Sequence, residues 1–193
     1  MEVESTVLED GFVRLEPMSD DHREGLRAAC DADAETWDRL YPFSMAGEHF
    51  DGAWSRMFAK PAPGCLNFAV VVGGRCMGMS CYLGIDPPNQ ALEIGATFYH
   101  PEVRGGPVNP AAKRLLLAHA FDSGARRVQF KVDAINARSR AAVLKLGAVQ
   151  EGILRQDRVT WTGRIRDTVV FSVLADEWPA VRERLDARLA AFA

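Results

Sequence analysis

The sequence predicts an α/β (α+β) fold: a single domain in which helices flank a mixed central β-sheet. Three stretches point there. Leu92 to Phe121 reads as a strand, a glycine-bearing turn and a helix. Arg127 to about Arg155 reads as an alternating strand, a short capped helix and a further strand. A strand–helix–strand crossover lays its two strands parallel. Between two apolar runs, Gly73-Gly74 marks a two-residue hairpin, which is antiparallel. One sheet holding both kinds of pairing is a mixed sheet. With 193 residues and no internal repeat, low-complexity tract or linker, the chain suits one domain with a well-buried core.

The elements follow in order. Gly11 to Pro17 alternates as a first strand. Ser19 is an N-cap for a helix to about Ala32, with Asp20 and Asp21 in its first turn. Glu35 to Ser44 is aromatic and broken by Pro42, so it is expected to be a loop. Gly47 to Lys60 reads as a second helix carrying Phe50, Trp54, Met57 and Phe58 mainly on one side. Asn67 to Val72 and Arg75 to Gly84 form the hairpin, and Pro87-Pro88-Asn89 turns the chain into the central strand. There Leu92, Ile94, Ala96 and Phe98 are expected on one face, with Glu93, Thr97 and Tyr99 on the other. Asn109 as N-cap and Pro110 at the first helical position open the central helix; Leu115, Leu116, Ala120 and Phe121 are its stripe, and Gly124 closes it. Asn136 caps a helix from Ala137 to Leu146, ended by Gly147. A strand from Ala148, a Thr162-Gly163 hairpin and a strand from Ile165 to Leu174 complete the sheet. Asp176 is expected to cap a C-terminal helix, Glu177 to Ala191.

Composition narrows the function. A net charge of −3 supplies no basic field for nucleic acid or anionic membranes. No apolar run reaches the length of a membrane span and the N-terminus lacks a signal-peptide pattern, so a cytoplasmic location is expected. Cys30, Cys65, Cys76 and Cys81 form no CxxC pair and read as free thiols; the four histidines lack ligand spacing, so no metal site is expected.

The turn from Pro101 to Pro107 bends the chain between strand and helix, and a helix N-terminus offers free N–H groups to an anion such as a diphosphate. EIGATFYHPEVRGGPVNPAAKRLLL followed by NARSRAAVLKLGAVQEGILR resembles the GNAT superfamily of acetyl-coenzyme A-dependent N-acetyltransferases, in the branch that acetylates N-termini of ribosomal proteins. The resemblance runs from Gly11 to about Trp178 and implies one domain over 1–193.

The resemblance implies acetyl-coenzyme A as cofactor, with Val103, Arg104, Gly105, Gly106, Val108 and Asn109 at its diphosphate. The family's Q/R-x-x-G-x-G/A pattern is met by Arg104 at its first position, but Pro107 and Asn109 replace its last two glycines. Pro107 removes an N–H, and Asn109 adds a side chain. Lys113 either adds charge there or is simply solvated. Asn136 is implied at the pantetheine arm and Ser139 near the thioester sulphur; Asn136 is equally an N-cap. Many members place a tyrosine acid where this chain has Val143, which leaves Ser139 to hydrogen-bond the departing thiolate.

Glu93, on the polar face of the central strand, is the first candidate base, against a plain strand ion pair. Asp157 is the second, and His100 reads as a loop residue. Arg155 and Arg166-Asp167 tie the last two strands, and Arg155 is also placed to meet an acidic acceptor. Trp37 and Tyr41 are either core packing or a wall of the acceptor cleft. The expected reaction is acetyl transfer to a primary amine, on a small molecule or a protein N-terminus. Two other readings stand beside it: a binding module that holds an acyl-coenzyme A without turnover, and a protein that takes another phosphate ligand at the same turn. Exposed edge strands make a homodimer plausible.

Overall fold

The computed structural model describes residues 1–192. An eight-stranded sheet runs in the order β1-β2-β3-β4-β5-β6-β8-β7. Its strands are β1 (Leu8–Glu9), β2 (Arg14–Pro17), β3 (Leu66–Val72), β4 (Arg75–Asp86), β5 (Ala91–Tyr99), β6 (Arg127–Asp133), β7 (Val149–Val159) and β8 (Ile165–Leu174). All neighbours pair antiparallel except β5 and β6, which are parallel and joined across the sheet by α4 (Val108–Asp122). Gly73 and Gly74 take φ of +56° and +75°, the left-handed pair that a tight β3–β4 turn requires.

One face of the sheet carries α4 and α6 (Trp178–Ala190), where Leu92, Ile94, Val128, Phe130, Val169 and Phe171 meet Leu116, Leu117 and Leu185. The other carries α1 (Arg23–Asp31), α2 (Ala34–Leu40) and α3 (Phe50–Trp54), whose Leu26, Trp37, Phe50 and Trp54 enclose Met79 and Phe98. The short helix α5 (Ala137–Leu146) has the expected bounds, with the Asn136 side chain accepting from the Ser139 N–H at 3.0 Å and Gly147 closing it at φ +110°. No described helix is long and apolar enough to cross a membrane. The four cysteines are free, with Cys30 and Cys81 buried.

Several expectations are corrected. Glu35 to Leu40 lies in helix α2, not in a loop. Asp33 caps it by accepting from the Thr36 N–H and hydroxyl, and only at Tyr41, held extended before Pro42, does the helix stop. The stretch from Gly47 to Lys60 is a 3₁₀ turn, a short α-helix and a π turn in succession rather than one helix. Helix α4 starts at Val108 with Pro107 as its cap, and Pro110 sits further inside the first turn, where a missing N–H costs nothing. Its buried stripe is Leu116, Leu117 and Ala120, while Leu115 and Phe121 are half-buried. Glu177 rather than Asp176 caps α6, and its carboxylate accepts from the Leu174 N–H at 2.8 Å.

The central strand does not alternate throughout. Ala96 sits at φ +46°, and the pairing with β4 slips there, Met79 facing Phe98 but Cys81 facing Gly95. This bulge inserts one residue into β5 and reverses the faces beyond it. Leu92 and Ile94 therefore pack beneath α4, whereas Phe98 packs among α1, α2 and α3.

Candidate active site

The central pair of strands opens at one end. β5 and β6 are paired only where Ala91, Leu92 and Glu93 meet Arg127, Val128 and Gln129, yet they continue to Tyr99 and Asp133. Beyond Glu93 the facing edges leave a wedge flanked by the turn that opens α4 and by the start of α5.

That turn keeps its donors free. Val103 and Arg104 donate their N–H groups back to His100 and Pro101. Those of Gly105, Gly106, Val108 and Asn109 donate to no protein acceptor among the described residues. Gly105 needs its φ of +81°. Gly106 has an ordinary φ, and a Cβ there would meet nothing within 4 Å, so the protein itself does not require glycine. A ligand lying against the backbone would. Free N–H groups at the positive end of a fifteen-residue helix suit a diphosphate, so the residues fit the cofactor that the sequence implies. The side chain of Arg104 is engaged elsewhere: it donates to the Tyr99 carbonyl at 2.8 Å, pairs with Asp33, and lies over the Phe98 ring. It ties the turn to the cap of α2.

On the far side of the wedge stand Asn136 and Ser139. Between α2 and the start of α5 lies a cleft of about 340 Å³ that includes Asp33, Thr36, Arg39, Asn136 and Arg138. Val143 is buried in the core beneath α5 and presents no acid.

Glu93 stands where the strands begin to part. Its side chain is 14% exposed and its Oε2 lies 3.2 Å from Lys131 Nζ on β6. A Cβ on Gly95 would sit 2.8 Å from Glu93 Oε1, so the carboxylate reaches along the strand towards the bulge. The ion pair and a place beside the wedge coexist in one residue. Asp157 is more committed: its Oδ2 accepts from Thr168 Oγ1 at 2.8 Å and from Arg158 at 3.1 Å. The Thr168 hydroxyl chiefly, and Arg158 with it, hold it below the usual carboxylate range, which weakens it as a base. His100 caps a short turn by accepting from the Glu102 N–H, as a loop residue would.

The bulge is held from both faces. Tyr41 donates its hydroxyl to the Thr97 carbonyl. From the other side Lys113 Nζ reaches Thr97 Oγ1 at 2.7 Å and Ser80 Oγ at 3.2 Å. Lys113 is therefore neither solvated nor at the turn; it is 6% exposed and points into the sheet. Burial without a carboxylate partner lowers its pKa to about 7. Nothing in the sequence marked it, because a lysine three residues beyond Pro110 ordinarily faces water. Trp37 has no exposed surface and stacks on Phe98 at 4.6 Å, so it is core rather than cleft wall. Tyr41 is half-buried beside the bulge.

A comparison with curated proteins found no match. Among solved structures, a T. thermophilus protein assigned as an acetyltransferase shares 37% identity, with 98% of this chain and 100% of that one covered and a TM-score of 0.85. A GCN5-related N-acetyltransferase from Brucella melitensis shares 33% identity over 96% of this chain and 86% of its own, with a TM-score of 0.89. Mycobacterium smegmatis RimJ, solved with coenzyme A disulfide, has a TM-score of 0.79 at 22% identity, covering 91% and 88% of the two chains, which is a likeness of fold. Residues 13–149 match the acetyltransferase (GNAT) domain, and with that span, the bulged central strand and the wedge beside it, the chain belongs to the GNAT acetyltransferase family.

Proposed function

We propose that this protein transfers an acetyl group from acetyl-coenzyme A to a primary amine, on a small molecule or a protein N-terminus, by direct attack in a ternary complex. One observation carries the reading: free N–H donors at Gly105, Gly106, Val108 and Asn109 flank a wedge between parallel strands that begins at a carboxylate. When bound, the cofactor supplies the activated acetyl group. The turn holds its diphosphate, with Val103 packing beneath, and Arg104 serves by fixing the turn rather than by touching phosphate.

Asn136 and the unpaired strand edges orient the pantetheine arm. The backbone N–H groups at Ala96 and Thr97, beside the register slip of the bulge, would serve as donors to the thioester carbonyl. Tyr41 and Lys113 keep it there. Glu93 accepts the amine proton, directly or through one water, while the Lys131 ammonium balances its charge. Asp157 serves the β7–β8 ladder instead. Ser139 hydrogen-bonds the departing thiolate, since no tyrosine stands at Val143.

A second reading is favoured by the proline at 107 and by the engagement of Arg104 with Asp33, which together leave the cradle poorer in donors and charge. In that reading the protein holds an acyl-coenzyme A without turnover. Glu93→Gln separates the two. As an enzyme, the variant should lose about 10²–10⁴-fold in kcat with cofactor affinity unchanged. A wild-type protein that binds the cofactor yet acetylates no amine would support the module and contradict the enzyme.

A further inference from the structure

Arg166 is a largely buried cation whose one carboxylate partner, Asp133, is shared with Arg164. It lies on β8 and is 6% exposed. Val169 and Phe171 point beneath α4 and α6, so Arg166 and Thr168 lie on the opposite face, with Lys131 and Asp133 of β6 and Glu93 of β5. Arg166 Nε donates to Thr168 Oγ1 at 3.0 Å. The carboxylate closest to it, Asp133, is 3.8 Å away.

Every carboxylate around it is occupied by another group. Asp133 is bonded by Arg164 and by the Ile135 N–H. Asp157 is taken by Thr168 and Arg158, and Glu93 by Lys131. The two Nη groups of Arg166 donate to no acceptor among the described residues and are not buried, so they reach the solvent side of this face. Burial, only partly offset by Asp133, lowers the affinity of the guanidinium for its proton, as for a cation whose lost hydration is not repaid by a partner. Held by one hydroxyl and one shared carboxylate, the guanidinium keeps its two Nη groups for a ligand.

The residue also sits beside the acceptor side of the proposed reaction. The β7–β8 hairpin reaches over to α2. Trp161 donates its indole N–H to the Trp37 carbonyl at 3.2 Å and its backbone N–H to Pro42, and Arg164 donates to the Arg39 carbonyl at 3.1 Å. Hairpin and helix thus border the polar sheet face on which Arg166, Lys131 and Glu93 stand. A guanidinium with both Nη groups open presents a planar fork suited to an oxyanion.

We propose that Arg166 is a specificity residue for the acceptor, and that the acceptor is an amine carrying an oxyanion, a carboxylate or a phosphate, close to its amino group. The proposal rests on the acetyl-transfer reading. The oxyanion docks on the fork of Arg166, which brings the amine towards Glu93 and leaves the cofactor turn untouched.

The test is a matched acceptor panel, followed by thiol release from acetyl-coenzyme A. An amino acid is compared with its amide, 2-aminoethyl phosphate with ethanolamine, and peptides beginning in Asp or Glu with those beginning in Asn or Gln. The wild type should favour the anionic member of at least one pair by tenfold or more in kcat/KM, and the pair that does so tells carboxylate from phosphate. Arg166→Gln should abolish that preference through KM while keeping wild-type rates on neutral acceptors and wild-type affinity for coenzyme A by calorimetry. Arg166→Lys should keep part of it. Equal rates within every pair for the wild type, or a preference that survives in Arg166→Gln, would overturn the proposal with the acetyl-transfer reading intact. The wild-type comparison decides even if the variant fails to fold. Cofactor binding without turnover of any amine would overturn both together.

Discussion

At the scale of single residues, Lys113 contributes most that the sequence did not announce. Burial drops its pKa to about 7, whereas in the unfolded chain it titrates near its ordinary value of about 10.4. Between these values the unfolded state holds the extra proton, so stability rises with pH; below about 7 the full penalty of burying the charge is present. The thiols of Cys30 and Cys81, which burial pushes up, act oppositely once unfolded cysteines ionise above about pH 8.5. The window is therefore about pH 7 to 8.5. Thermal melts across it should show Lys113→Met more stable than wild type at about pH 7 and flatter with pH, since Ser80 and Thr97 already bond each other at 2.7 Å. Parallel curves for the two proteins would contradict this account of Lys113. The sequence placed Glu93 on its strand and Asn136 at its helix cap because strand parity and capping are local rules. It hid Lys113 and Arg166 because burial of a charge depends on which element packs over it. Trp37 stayed open between two readings for the related reason that a buried aromatic and a cleft aromatic look alike until its neighbours are known.

At the scale of elements, the two glycines that bracket the bulge and the turn have opposite reasons to exist. A Cβ on Gly78 would sit 2.1 Å from the Phe98 carbonyl oxygen on the neighbouring strand, at a φ of +156°. Gly78→Ala should therefore forbid the β4–β5 approach and unfold the protein or lower its melting temperature severely, checked by circular dichroism. Gly106→Ala should melt like the wild type. The bulge at Ala96 was not readable from the alternation, which continues through it; a non-glycine residue at positive φ leaves no mark in composition. Helix α2 was missed because Pro42 and the aromatics outweighed the Asp33 cap and the Glu35–Arg39 pair, 2.9 Å apart, that support it. Elements governed by one strong local signal, such as α5 between Asn136 and Gly147, were read with their ends in place.

At the scale of the whole molecule, the architecture turns on one short stretch of parallel pairing. The crossover through α4 makes β5 and β6 parallel, the brevity of their ladder opens the wedge, and the same crossover places the α4 N-terminus beside it. This much followed from the order of strand, turn and helix, and so the fold and the position of the turn that opens α4 were legible in the residues alone. The face we propose for the acceptor was not, because it depends on the β7–β8 hairpin meeting α2 across more than a hundred residues. The central claim, that the turn after β5 holds a diphosphate through its backbone, is tested most directly by calorimetric titration of acetyl-coenzyme A into the wild type and Gly106→Val. The account predicts saturable binding to the wild type at one per chain. Gly106→Val should weaken it by at least about tenfold, or 1.4 kcal/mol, with its melting temperature unchanged in the absence of ligand. No binding by the wild type, or equal binding by both proteins, would contradict it.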